Sequence, residues 1–330
     1  MTLTTTPYPF NLGLGISPKT RSQISVIGAT ASGYLNTPGF AGEVTVASSR
    51  AVYITTDDGD IVAACSPDQQ PHPRSFLTDF DLSLIQVGQR VWIESDDICF
   101  SNGAKLNLSE SKVWNRQPQA GANAASPQLL YIKYDSLLRT ATALHEGENF
   151  GLALPSFFSQ ELSSSQLPPD GTSPLVATGI LKIKELLPLC RYGNLQSVLE
   201  LTRELIGLGH GLTPSGDDFV GGFLFMAFHL SNTYPTHKWW NNTETSEFMN
   251  YSQLMTSQIS HALLTDLATG QSHESLHNLA DDLLSRRLKF DAEKHVQTVT
   301  QIGQSSGWDI LTGMLMGLMP IAYEATELKP

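Results

Sequence analysis

Gln117-Pro-Gln-Ala-Gly-Ala-Asn-Ala-Ala-Ser-Pro127 divides the chain, because it is small, polar and bounded by prolines, and the apolar pattern differs on its two sides. Upstream the runs are short and strand-like. Gly42-Glu-Val-Thr-Val-Ala-Ser48 alternates in part, and Arg50-Ala-Val-Tyr-Ile-Thr55 is rich in β-branched residues. Asp57-Asp58-Gly59-Asp60 makes a hairpin turn into Ile61-Val-Ala-Ala-Cys65, and Arg90–Glu94 and Asp97–Phe100 form a further pair. Downstream the period becomes helical. Leu129, Leu130, Ile132, Leu137, Leu138, Ala141 and Leu144 share one stripe, and later stripes are Leu195–Ile206, Ile259–Leu267 ended by Gly270, Leu276–Leu284, and Val296–Ile302 behind a cap at Asp291. Asn194 is a candidate cap for the Leu195 stripe. The expected fold is α+β. Residues 1–20 form an N-terminal arm, 21–117 a β-rich domain (a small barrel or sandwich), 118–127 the linker, and 128–330 a mostly helical domain that carries the site.

The composition narrows the function classes. At 330 residues and 41% hydrophobic content the chain has the material for two cores, and its net charge of −12 disfavours broad attraction to nucleic acid or anionic lipid. The one basic run, Arg286-Arg287-Leu-Lys289, reads as a solvated helix end. Cys65, Cys99 and Cys190 are an odd number without CxxC spacing, so they read as small apolar residues rather than a disulfide framework or zinc site. Met1–Pro9 lacks the basic and apolar regions of a signal peptide. Phe219–Leu230 and Ile310–Tyr323 are each shorter than the roughly 20 residues of a membrane span. These features predict a cytoplasmic protein with buried apolar helices.

One segment stands apart: Leu205-Ile-Gly-Leu-Gly-His-Gly-Leu-Thr-Pro-Ser-Gly-Asp-Asp-Phe-Val-Gly-Gly-Phe-Leu224. Its end is echoed downstream. Ser215-Gly-Asp-Asp-Phe-Val-Gly-Gly-Phe-Leu224 aligns without gaps with Ser306-Gly-Trp-Asp-Ile-Leu-Thr-Gly-Met-Leu315, and each copy opens a helix after a glycine-containing break. The implied picture is a pair of helix–break–helix units facing each other. A purely structural account exists: Ser-x-x-Asp approaches a capping box, so Ser215/Asp218 and Ser306/Asp309 start helices, and Gly222 and Gly313 permit close packing. Capping does not explain Asp217, a second adjacent carboxylate. The run Gly209, Gly211, Thr213, Ser215 and Gly216, with Ser306 and Gly307 in the echo, offers amides, hydroxyls and a positive helix end to a small anion. Asp217, Asp218 and Asp309 are the candidate carboxylates, either in catalysis with Ser215 and His210 or as a set for a hard cation such as Mg2+. Adjacent carboxylates cannot point one way, so one of Asp217 and Asp218 is expected to be structural. His273 and His277, spaced i and i+4, lack a third metal ligand and are expected on an exposed helix surface.

Gly207-Leu-Gly-His-Gly-Leu-Thr-Pro-Ser-Gly-Asp-Asp-Phe219, with Ile302-Gly-Gln-Ser-Ser-Gly-Trp-Asp309, resembles a bacterial family that includes the smallest subunit of oxamate carbamoyltransferase. The resemblance runs from Leu195 to the C-terminus. It departs at His210, where the family pattern has Pro, and at Gln304, where it has His. It implies allantoin catabolism, in which a carbamoyl group passes from oxalurate to phosphate to give oxamate and carbamoyl phosphate. It also implies two partner subunits, one of them similar to succinyl-type acyl-CoA synthetases. That chemistry asks for an anion cradle, oriented donors and exclusion of water, with no organic cofactor. Two further readings stand beside it: a non-catalytic small-acid-binding or scaffold subunit, and a stand-alone Mg-dependent enzyme.

Overall fold

The computed structural model describes residues 21–116, 124–158, 168–191, 195–235 and 242–327. The expected arm, most of the linker and the Asn194 cap lie outside the described residues. The chain forms two compact units, Met1–Trp114 and Asn115–Pro330.

The first unit is a barrel. Its strands are β1 (Arg21–Gly28), β2 (Ala41–Ala47), β3 (Ala51–Thr56), β4 (Ile61–Cys65), β5 (Ser75–Thr78), β6 (Arg90–Glu94), β7 (Asp97–Phe100), β8 (Lys105–Asn107) and β9 (Lys112–Trp114). Neighbours run β5-β4-β3-β2-β6-β7-β8-β1, and β1 closes the ring by pairing antiparallel with β5, so eight strands leave no open edge. One side of β1 does two jobs: Arg21–Gln23 pair parallel with β8, and Val26–Gly28 pair parallel with β9. The interior is filled by Ile24, Val44, Ile54, Phe76, Val91, Ile98, Phe100 and Leu106 among others. A short helix, α1 (Ala29–Leu35), interrupts the strand pattern, and Ala31 and Leu35 bury into the same core. Ala29-Thr-Ala-Ser-Gly-Tyr-Leu35 is mostly small residues, and its one buried pair, Ala31 and Leu35, is too short a stripe to stand out in the sequence. β4 and β5, against which α1 packs, are buried on both faces, so β5 shows no alternation either.

The second unit is helical: α2 (Pro127–Leu144), a 3-10 helix (Phe150–Phe158), α3 (Pro174–Arg191), α4 (Leu195–Thr202), α5 (Ser215–Thr233), α6 (Asn242–Met255), α7 (Gln258–Ala268), α8 (Glu274–Leu284), α9 (Ala292–Val299) and α10 (Ser306–Glu327). At its centre α5 and α10 pack on each other. Every residue from Gly216 to Ala227 and from Gly307 to Met319 is buried, so these all-round apolar segments are core helices. No helix of the described residues is long and apolar enough to cross a membrane. Asp291 caps α9 by accepting from the Lys294 amide at 3.1 Å, and Gly270 closes α7 at φ 72°.

The expected exposed histidine face is corrected. His277 is 1% exposed and sits with His229 and Phe225 between α5 and α8, accepting at Nε2 from the Ser272 amide, while His273 is half-buried at the start of α8. Burial pushes His229 and His273 down to about 4 and His277 to about 3. The stripe of Leu276, Leu279 and Leu283 lies on the same face, so i, i+4 spacing here marks the core side of an amphipathic helix. Arg286, Arg287 and Lys289 are exposed just past the end of α8, as a solvated helix end should be. Cys99 and Cys190 are buried and all three cysteines are free thiols.

Candidate functional site

The site grows from how closely α5 and α10 approach. An ideal Cβ on Gly222 would stand 2.1 Å from the Ile310 carbonyl oxygen, and one on Gly313 would stand 1.9 Å from that of Phe219. In the ten-residue alignment, Gly222 corresponds to Gly313 and Phe219 to Ile310, so the two contacts are one contact repeated across a pseudo-twofold axis. Gly317 continues it beside Phe223 and Met226. Because rising numbers on α5 meet rising numbers on α10, the helices run parallel and their N-termini lie at the same end. The preceding turns repeat as well. Gly216 and Gly307 pack against the Leu205 and Val299 carbonyls, and their amides donate to Leu208 and Ile302, each at 2.9 Å.

The capping-box account fails at α5. Pro214 occupies the N-cap position without a side-chain cap, and Ser215 is the first helical residue. The serines instead reach across the axis. The Ser306 hydroxyl faces the Asp218 carboxyl and the Ser215 hydroxyl faces that of Asp309, each drawing it down as a polar neighbour without a hydrogen bond of ordinary geometry. Thr213 joins the first pair, donating to Asp218 Oδ2 at 3.0 Å and lying 3.2 Å from Ser306 Oγ. Asp309 Oδ1 accepts from the Phe150 amide at 2.8 Å, the first residue of the 3-10 helix, so a third helical N-terminus points at this carboxyl. Its Oδ2 is buried without a hydrogen bond of ordinary geometry. Desolvation pushes Asp218 well above the usual carboxylate range, with the charges of Asp309 and Asp217 adding to it. Asp309 is raised to about 7, again by burial, against the opposing pull of Phe150 and Ser215.

Asp217 points elsewhere. Its Oδ1 accepts from the Gly207 amide at 2.7 Å, and its Oδ2 accepts from the Thr256 hydroxyl and from Ser260 Oγ at 2.5 Å. It therefore ties the turn after α4 and the start of α7 to α5. Of the adjacent pair, Asp217 has the structural anchorage and Asp218 meets the other copy. Among the described residues no group of three or more His, Cys, Asp or Glu side chains is arranged to hold a metal, so the residues present do not fit a shared Mg2+ on Asp217, Asp218 and Asp309.

The remaining candidates divide by exposure. Ser215, Ser306, Thr213 and Gly209 are half-buried at the paired helix starts, while His210 and Gly211 are exposed in the turn before α5. Gly209 and Gly211 have φ of 131° and 100°, which a side chain would strain, and a Cβ on Gly209 would meet the Ser215 amide at 2.6 Å. Gly216 and Gly307 are buried with their amides committed inward, so the polar groups left at the paired helix starts are the hydroxyls of Thr213, Ser215 and Ser306, of which Thr213 donates to Asp218. The sequence reading missed Phe150, Thr256 and Ser260. Phe150 reaches Asp309 across 159 positions with a backbone amide, which no side-chain pattern reveals. Thr256 and Ser260 flank the Ser257 cap of α7, and nothing local names Asp217 as their acceptor.

A family model described as "Oxamate carbamoyltransferase subunit AllH" matches residues 205–318, which span both turns, all of α5 and the first part of α10. The match supports a family that includes that subunit. No solved structure matches the chain.

Proposed function

We propose that the chain is a subunit of a multi-subunit carbamoyltransferase that binds a small anionic substrate at the mouth between Ser215 and Ser306. The observation that carries this reading is the parallel pairing of α5 and α10. It sets two helix N-termini, each equivalent to about half a positive charge, side by side beneath the hydroxyls of Ser215 and Ser306. That is the cradle a phosphate, or the carboxylate of an oxalurate-like acid, requires. No Lys or Arg side chain enters the hydrogen bonds of the site among the described residues, which fits a shared enzyme whose remaining positive charge comes from another subunit. The reaction implied by the sequence resemblance is phosphorolysis of oxalurate to oxamate and carbamoyl phosphate. As charge develops on the carbamoyl oxygen, preoriented hydroxyls stabilise it without reorganising. The partners follow from the same reading: two further subunits, one of them acyl-CoA-synthetase-like.

The test is reconstitution. The chain is combined with its two candidate partner subunits and oxalurate phosphorolysis is followed for wild type, Ser215→Ala and Ser306→Ala. The expected loss is about 100-fold in kcat for each variant at unchanged melting temperature. Full activity in both variants removes the site from the chemistry. The burial of both carboxylates favours one other reading, a subunit that binds a small acid while chemistry proceeds on its partners. Calorimetric binding of oxamate or phosphate, with no turnover in any reconstituted mixture, would favour that alternative.

A further inference from the structure

Asp218 and Asp309 form a pair that helix capping leaves unexplained and that anion binding alone does not need. Each is buried and faced by the half-buried serine of the opposite copy, and Thr213 links one such pair, 3.0 Å from Asp218 Oδ2 and 3.2 Å from Ser306 Oγ. Asp309 Oδ2 is fully buried and lacks a partner of its own. An ionised carboxylate with a vacant lone pair and no cation is costly in such a place, and two together are costlier. We propose that Asp218 and Asp309 hold one proton between them and exchange it, through the Ser306 and Ser215 hydroxyls, with anions bound at the mouth. The inference rests on the carbamoyl-transfer reading for the exchange, though not for the shared proton.

The surroundings are consistent with a proton held inside the pair. The other titratable group acting on it is Asp217, which is negative and raises Asp218 further. The 3-10 helix Phe150–Phe158 carries no titratable side chain. His145, before it, packs edge-on against Trp308 at 4.9 Å. On α7, His261 is 3.2 Å from Ser252, and Asp266 lies further along the helix than Ser260. His210 is exposed. Desolvation is the largest cause in both carboxyls, and with Asp309 raised to about 7 the pair carries a proton at neutral pH.

Carbamoyl transfer gives that proton a use. A phosphate oxygen bonds to the carbamoyl carbon, and the bond from that carbon to the oxalurate nitrogen breaks. Monohydrogen phosphate loses its proton as the new bond forms, and the departing nitrogen gains one to leave as the neutral amide of oxamate. One carboxylate accepts the first proton through its serine while the protonated partner releases its own through the other. The pair ends with one proton, as it began, and no other co-reactant is consumed.

Infrared difference spectroscopy of the free, full-length protein between about pH 5 and about pH 9 tests the shared proton without any ligand. The expected result is a buried carboxylic acid band that persists to about pH 7, moves to lower pH in Asp218→Asn and in Asp309→Asn, and stays in Ser215→Ala. A wild-type spectrum without such a band above about pH 6, or a band untouched by both Asn substitutions, overturns it. Calorimetry with inorganic phosphate and with oxamate, each in two buffers of different ionisation enthalpy, tests the exchange. Wild type should show buffer-dependent heats and Asp309→Asn should not; buffer-independent wild-type heats overturn the exchange. An intact infrared band with no binding of either anion would defeat the functional reading and the exchange while leaving the proton-sharing pair in place.

Discussion

The turn from α4 into α5 and the turn from α9 into α10 differ in length yet end in the same helix start. Four positions serve both in the same way: Ser215 and Ser306 cross the axis, Asp218 and Asp309 receive them, Gly216 and Gly307 pack on the preceding carbonyl, and Gly222 and Gly313 admit the opposite helix. The copies part at the position of Asp217 and Trp308. The first is bonded to Gly207, Thr256 and Ser260, and the second packs on His145. They part again in the turn, where Leu208 and Gly216 are eight positions apart while Ile302 and Gly307 are five apart. Shared positions are those that the helix contact imposes. Divergent ones anchor each copy to its own neighbours, and the longer first turn carries half-buried Gly209 and the exposed His210 and Gly211.

The comparison breaks most severely at the helix crossing. Gly313→Ala and Gly222→Ala each drive a methyl into a backbone carbonyl, so each should destabilise the helical unit by about 3 kcal/mol or more, to a similar extent, in thermal or denaturant unfolding. A large effect in one and none in the other would deny the pseudo-symmetry. Next comes the divergent position. Asp217→Asn weakens charge-assisted bonds to one amide and two hydroxyls and should cost about 3 kcal/mol in urea unfolding, with Thr256→Ala costing less in that background than in wild type, whereas Trp308→Ala removes packing and leaves the cost of Thr256→Ala unchanged.

Asp309→Asn goes the other way. The folded carboxyl sits near 7 against an ordinary 3.8, so the native state binds more protons than the unfolded chain between those values, and wild-type stability falls as pH rises through that window. The neutral amide escapes this cost. The variant should gain on wild type by about 2 kcal/mol at about pH 8 and by little at about pH 4, after relaxation takes roughly half of the nominal shift. A gain independent of pH would show that the carboxyl is not buried as a titrating group. The opposite slope belongs to His229, His273 and His277. Their depressed folded values mean the unfolded chain binds more protons below about 6.5, so stability falls with acid until about pH 4 or below. Replacing His277 with Gln should flatten that acid limb.

Much of this was legible in the sequence, for reasons tied to particular residues. The barrel strands with alternating burial, β2 and β3, announce themselves by period, and the echo of Ser215–Leu224 in Ser306–Leu315 announces the repeated helix start. What local pattern hides is partnership. The Ser-x-x-Asp spacing suits a capping box as well as it suits two crossed pairs, and only the parallel approach of α5 and α10 decides between them. The adjacency of Asp217 and Asp218 implies divided roles without saying which is anchored, because the anchors are the Gly207 amide and hydroxyls at 256 and 260. β5 and α1 were hidden by two-sided burial and by small residues, respectively.

The central claim is that both copies build one site, and a double-mutant cycle on anion binding tests it most directly. Phosphate or oxamate affinity is measured by calorimetry for wild type, Ser215→Ala, Ser306→Ala and the double variant. A shared site predicts that each single change weakens binding about tenfold and that the double change falls short of their product, with a coupling of about 1 kcal/mol. Strict additivity, or an effect from only one serine, would contradict it.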